Sequence, residues 1–226
     1  PTVQNFIDLV NIMNNSWVPF SRYIFNTVFV TLTGTFFHII IASLAAYVLA
    51  KHTFPGGKLF FTIIIMALMF APQVTMIPNY LIMSKLGFID THLSLIVPAI
   101  GLPLGLFLMK QFMEQIPVAL LESAKMDGAG EIRIFFQIAL PMVRPAWLTL
   151  MIISVQQLWN MDGRNFIFTE QLKMLPTAFQ QIALGGIARA GVGAVTGIFM
   201  LAVPVIIFVL NQSRMIQTMA RSGIKE

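Results

Sequence analysis

The sequence predicts an all-α membrane protein with five transmembrane helices in a single domain, and three observations predict it. Hydrophobic residues make up 57% of the 226 and charged residues only 10%, where a soluble domain carries about a quarter charged. The charges are also spaced. Asp, Glu, Lys and Arg are absent from 23–50, 59–84, 91–109, 145–161 and 190–213. Finally, runs such as FFTIIIMALMF do not alternate apolar with polar, as the roughly ten-residue strands of a lipid-embedded barrel do. Helices and closed barrels are the two structures that satisfy backbone groups in lipid, so helices remain.

A hydrocarbon core of about 30 Å needs about 20 residues of helix, with about 17 as the lower limit. The first, second and fifth windows exceed this length and the third meets it. The fourth is the weakest, with Gln156, Gln157 and Asn160 near its end. The expected spans are about 23–50, 59–82, 92–113, 145–161 and 193–213. Around them lie an outer segment 1–22, loops 117–144 and 162–190, and a tail 214–226.

In the outer segment Phe6, Leu9, Val10, Met13 and Trp17 recur at roughly helical spacing. A short helix lying at the membrane surface and an irregular external loop both fit them. Pro72, Pro78, Pro98, Pro103 and Pro204 interrupt the spans, each removing a backbone donor. The small-residue pairs Ala42/Ala46, Gly101/Gly105 and Gly193/Gly197 allow close helix approach. Pro1 is not an initiator residue, which leads us to expect missing upstream sequence.

Orientation follows from Lys and Arg, which concentrate on the cytoplasmic side. With the segment before residue 23 outside, nine fall inside: Lys51, Lys58, Lys110, Lys125, Arg133, Arg144, Arg214, Arg221 and Lys225. Five fall outside: Arg22, Lys85, Arg164, Lys173 and Arg189. The net charge of +5 then reads as a topology signal in a lipid bilayer, not as a nucleic-acid surface.

No residue constellation supports catalysis. There is no cysteine, and the three histidines, His38, His52 and His92, form no metal-ligand spacing. Nucleotide-binding and nucleophile motifs are absent as well. His38 lies within the first span, where an ionisable group is a functional candidate and a hydrogen-bonded packing residue is the simpler reading. Gln73, Thr75, Asn79, Gln156, Gln157 and Asn160, with Asp162 just beyond, can hydrogen-bond a polar solute or one another. They are the candidate solute pathway.

Loop 117–144 gathers the charge that the rest of the chain avoids. Pro117 suits the start of a helix, VALLESAKM forms helix well, and Gly128 and Gly130 offer a left-handed or flexible exit. EIRIFFQIAL can form a second short helix before Pro141 and Pro145. Ser123, Ala124 and Gly128 are small enough for a partner backbone to approach, and Glu122 and Asp127 can meet basic groups. Spacing alone leaves two readings open, a docking element and a solvated amphipathic loop.

This stretch resembles the EAA motif of bacterial ABC-importer permeases: E-A-A, three residues, G, nine residues, I-x-L-P. Glu122, Ser123 and Ala124, then Gly128, then Ile138, Leu140 and Pro141 keep that spacing, with Ser123 standing in for one alanine. DGAG at 127–130, YIFNTV at 23–28, LPTAF at 175–179 and the ending MARSGIKE resemble the maltose-importer-like carbohydrate branch, second permease of the pair.

The resemblance implies a type I importer permease bundle, normally of six helices in this subunit, with the N-terminal one missing here. It implies a non-catalytic, multi-pass subunit of the bacterial cytoplasmic membrane that pairs with a second homologous permease. Loop 117–144 would be the coupling loop, with Glu122, Ser123, Ala124, Asp127, Gly128, Ile138, Leu140 and Pro141 meeting a cytoplasmic ATPase dimer. ATP and Mg would sit on that dimer and no cofactor on this chain. An extracytoplasmic solute-binding protein would deliver a mono- or oligosaccharide, and loop 162–190 is expected to meet it. An ABC permease for glycerol phosphate or an amino acid is the alternative. A secondary transporter is a more distant one, because the five windows hold no carboxylate for a coupling ion.

Overall fold

The computed structural model describes residues 3–14, 17–184 and 190–222. Pro1, Arg189 and Lys225, used above for chain start and charge balance, lie outside these residues, as do 223–226 of the tail. All regular structure among the described residues is helical. The all-α expectation therefore holds, and the windows become helices for the reason that selected them: lipid-length apolar segments must satisfy their own backbone.

Helix α1 covers Val3–Asn14 and carries Phe6, Leu9 and Val10 of the outer segment, while Trp17 lies beyond it in a bend. Helix α2, Phe20–Lys51, is unbroken over 32 residues. Helix α3 is Gly57–Ala67 and α4 is Pro72–Lys85. Helices α5 (Leu93–Ile100) and α6 (Pro103–Glu114) form one 22-residue span, interrupted at Gly101–Leu102. Helices α7 (Val118–Met126) and α8 (Glu131–Ile134) lead into a π-helical turn, Phe135–Ala139, and α9 (Leu140–Met142). Then follow α10 (Arg144–Trp159), a 3-10 turn at Glu170–Leu172, α11 (Leu175–Ala183) and α12 (Ala190–Ser222).

By length and composition alone, three or four of the five expected spans stand out among the described residues. Three helices among the described residues are long and apolar enough to cross: Phe20–Lys51, Leu93–Glu114 and Ala190–Leu210. A fourth arises if Glu131–Met142 and Arg144–Trp159, bent by 79°, are one span. The window expected as a span at about 59–82 is two helices of 11 and 14 residues, each below the length that crosses a bilayer alone. Pro72 is the cause: it disfavours helical geometry at Ala71 while suiting the first position of the next helix. The 145–161 window is likewise shorter as a helix, at 16 residues, and is preceded by the bend at Val143 (φ −93°, ψ 25°).

Contacts divide the chain into two compact units, and α2 contributes to both. One unit comprises 1–35, 78–99 and 152–212. Its core joins Leu9 of α1, Tyr23 of α2, Trp159 of α10, Leu175, Phe179 and Ile182 of α11, and Val192 and Val195 of α12. Trp159 also donates its Nε1–H to the Met200 carbonyl at 3.1 Å.

The other unit comprises 36–77, 100–151 and 213–226. Its core packs Ala42, Ala46 and Tyr47 of α2 with Met109 and Met113 of α6, Leu121 and Ala124 of α7, and Phe135, Ala139, Ala146 and Leu150 beyond. The Ala42/Ala46 pair is thus inside, as close helix packing requires. Gly105 is packed for the same reason: a Cβ there would run into the His38 imidazole. His38 itself hydrogen-bonds the carbonyl of Leu102, the residue just ahead of α6, at 3.3 Å. By contrast, a Cβ added at Gly193 or Gly197 meets nothing within 4 Å. In this unit α3 lies against α6, with Phe61 stacked on Phe107 and the Lys110 ammonium 3.9 Å from the Phe61 ring centre.

Candidate functional site

Loop 117–144 is built on the second unit. Pro117 is the extended residue just ahead of α7 (φ −61°, ψ 128°), one position earlier than its expected place as first helical residue. The other end of α7 is closed by backbone geometry. Gly128 has φ +79°, its N–H donates to the Lys125 carbonyl at 3.0 Å, and the Ala129 N–H donates to the Ala124 carbonyl at 3.0 Å. These two bonds and the left-handed residue make a Schellman cap, the exit expected from glycine here. Gly130 is extended (φ −72°) and opens α8.

The helix has two sides. Leu121 and Ala124 are buried in the unit's core, while Glu122, Ser123, Lys125, Met126, Asp127 and Gly128 are exposed. Ala124 was expected to leave room for a partner; it is instead used by the chain's own packing. Ile138 and Leu140 are half-buried against the same core, and Pro141 is exposed. Met126 at 89% and Ile132 at 77% are the most exposed apolar side chains of the loop. A cavity of about 690 Å³ opens beside Ile132, lined also by Gly130, Glu131, Arg133, Phe136 and Gln137.

The second helix of the loop is irregular for a reason visible in its sequence. Pro141 has no N–H, and its ring would crowd the carbonyl four residues earlier. The chain widens into the π turn Phe135–Ala139 instead, with the Leu140 N–H bonding the Phe135 carbonyl. Such turns concentrate at functional positions.

Polar contacts from α2 hold the loop. Lys51 donates to the Ile116 carbonyl at 2.6 Å and the Glu114 carbonyl at 3.2 Å, groups that the end of α6 leaves over. Glu131 accepts from Lys125 at 2.5 Å and from the Tyr47 hydroxyl at 3.2 Å, with His52 Nε2 at 3.7 Å. The hydrogen bond from Lys125 holds the Glu131 carboxyl below its usual range against the opposing effect of burial, and the Lys125 charge, Tyr47 and His52 act in the same direction as that bond. Neither the Lys51–Ile116 nor the Tyr47–Glu131 contact stood out in the sequence: no spacing rule links residues 65 and 84 positions apart.

The first unit carries a second built region. The YIFNTV and LPTAF segments, read separately above, meet. Tyr23 donates to Glu170 at 2.8 Å; Asn26 donates to the Gln171 and Lys173 carbonyls at 2.8 and 3.0 Å. Thr27 accepts from the Leu175 N–H at 2.8 Å. Burial pushes the Glu170 carboxyl up, but hydrogen bonds from Lys173 and Tyr23 outweigh it and hold the carboxyl below its usual range. Asp90, at φ +59°, accepts from the Phe168 and Thr169 N–H groups and the Thr169 hydroxyl at 2.5–2.9 Å.

The candidate solute residues are exposed or half-buried. Gln73, Thr75 and Asn79 lie on α4, Gln156 and Gln157 on α10, and Asn160 just past it. Asn160 donates to the Gln156 carbonyl at 2.7 Å.

Residues 38–221 match the family described as "Binding-protein-dependent transport system inner membrane component". The chain belongs to this family. Among curated relatives it is 35% identical to Protein LplC of Bacillus subtilis over 149 residues, which is 62% of this chain and 50% of that protein. It is 29% identical to the arabinooligosaccharides transport system permease protein AraQ of Halalkalibacterium halodurans over 167 residues, 74% of this chain and 57% of that one. It thus spans about half the length of these relatives. The crystal structure of a bacterial ABC transporter involved in the import of the acidic polysaccharide alginate contains a chain of the same fold. The TM-score is 0.76 with 23% identity, over 91% of this chain and 78% of that one. The bundle is therefore that of a type I importer permease, and the apolar helices are those of a membrane permease family.

Proposed function

We propose that this chain is a permease subunit of a bacterial ATP-binding cassette importer and forms, with a second homologous permease, a pathway for sugar uptake. The observation that carries the reading is the form of loop 117–144. Its exposed side presents Glu122, Ser123, Asp127 and Gly128 beside apolar Met126 and Ile132, while its inner side is anchored in the protein core. An anchored helix with an unfilled acidic and apolar face suits a cleft on another subunit. Family membership and the sugar systems named for AraQ and for the alginate importer support the substrate class.

In this reading Glu122, Ser123, Ala124, Asp127, Gly128, Ile138, Leu140 and Pro141 form the ATPase-coupling element. Only the first two, with Asp127 and Gly128, face the partner; the others hold the loop's shape. A cytoplasmic ATPase dimer binds and hydrolyses ATP with Mg, and this chain needs no cofactor and performs no catalysis. Loop 162–190 meets a solute-binding protein at the outer face of the cytoplasmic membrane. Gln73, Thr75, Asn79, Gln156, Gln157 and Asn160 offer hydrogen bonds to the sugar on its way.

Purification from membranes in mild detergent tests the assembly, and reconstitution with a binding protein and a panel of sugars tests the substrate. We expect an ATPase and a second permease to co-purify, and hydrolysis to rise with at least one sugar. A chain that carries solute without an ATPase would overturn the reading.

A further inference from the structure

We propose that Glu131 is a positioning residue that, together with Lys51, fixes the 117–144 loop to the C-terminal end of α2 at two points, so that displacement of α7 is passed to α2. This rests on the reading of the loop as the ATPase-coupling element.

The loop continues by covalent connection into α6 on one side and α10 on the other. Helix α2 has no such connection, yet its last turns share one apolar core with α7. That core holds Ala42, Ala46 and Tyr47 of α2 with Leu121 and Ala124 of α7 and with Phe135, whose ring meets that of Tyr47 at 5.5 Å. Apolar burial is non-directional, and small alanines present little relief against sliding. Direction comes from the polar contacts, which bracket α7. Before it, Lys51 binds the Ile116 and Glu114 carbonyls. After it, the Glu131 carboxylate takes Tyr47 of α2 on one oxygen and Lys125 of α7 on the other. His52 stands 3.7 Å from the oxygen that Tyr47 uses. Helix α7 is thus held ahead of its first residue and beyond its last by one neighbouring helix. The Lys125–Glu131 pair also spans the Gly128 turn, so α7 and α8 move as one piece. A shift of α7 along α2 would have to break a contact at each end.

The test uses the whole importer reconstituted in liposomes with its binding protein, measuring sugar transported per ATP hydrolysed. Glu131→Ala should keep hydrolysis and lower this ratio about two- to fivefold, the range that loss of an exposed pair supports. Tyr47→Phe, which removes one hydroxyl, should lower it in the same direction. The exchange of Lys125→Glu with Glu131→Lys should recover a ratio closer to wild type than either single change. A fold-stabilising role alone would lower hydrolysis and transport together and leave their ratio fixed. An unchanged ratio in Glu131→Ala and Tyr47→Phe, or an exchange no better than its singles, overturns the proposal. A wild-type chain that brings down no ATPase overturns the reading of the loop, and this role falls with it.

Discussion

Replacing Gly128 by alanine tests the turn that closes α7, and its cost can be worked from the backbone. Left-handed geometry costs a residue with a Cβ about 1–2 kcal/mol, and Gly128 sits at φ +79°. A Cβ there meets nothing within 4 Å, so no steric term adds to this. Alanine also narrows the unfolded chain, offsetting about 0.4–1 kcal/mol. The net loss is about 1 kcal/mol, or about fivefold in the equilibrium between closed and frayed cap. The reporters are the Gly128 and Ala129 amides, which donate to the Lys125 and Ala124 carbonyls. Hydrogen exchange over a peptide spanning 123–131 should quicken about fivefold in Gly128→Ala. It should quicken less in Gly128→Asn, since asparagine tolerates this conformation. Wild-type exchange in the alanine variant, or faster exchange with asparagine than with alanine, would refute the reasoning.

Three further outcomes are expected. Glu122→Ala should weaken ATPase co-purification while leaving membrane insertion intact, because a charge-assisted hydrogen bond to a basic partner group contributes about 1.5–3 kcal/mol; undiminished co-purification would remove Glu122 from the interface. Gly105→Ala drives a methyl into the His38 ring and should destabilise by about 1–3 kcal/mol, seen as a lower Tm in detergent. His38→Ala in the same chain should relieve part of that loss, and strictly additive losses would count against the contact. Hydrogen bonds from Thr169 hold the Asp90 carboxyl below its usual range, so its tie to 168–169 is fully present above the unfolded carboxyl value of about 4. That tie weakens as the pH falls through the lower folded value. A spin label at 168 should gain mobility in that window, with Asp90→Asn flattening the response.

How much of this was legible in the sequence depends on the range of the interaction. The charge-free windows and Gly128 were readable because lipid thickness and left-handed geometry act on neighbouring residues. The break between Ala67 and Pro72 was readable only in part: Pro72 was noted, but a proline can kink a span or end it. Ala124 looked like a free small surface because the core that buries it also draws on Ala42, Ala46 and Tyr47, far away in the chain. Glu131 looked like one more solvated charge for the same reason. Its partner Tyr47 lies 84 residues earlier, where no helical or strand period reaches.

The contacts of α2 also set an order of assembly. Tyr23, Asn26, Thr27, Tyr47 and Lys51 all belong to this one helix, and the chain emerges from its N-terminal side first. Each of their partners is made later: Ile116 just ahead of one loop and Glu131 within it, Glu170, Gln171, Lys173 and Leu175 from the other. The donors and acceptors that receive both loops are therefore synthesised before either loop. Helix α2 is in this sense a template written early. A chain that stalls after Lys51 has completed the surface it needs, while one that lost α2 would finish synthesis with the carbonyls of Glu114 and Ile116 still waiting for a donor.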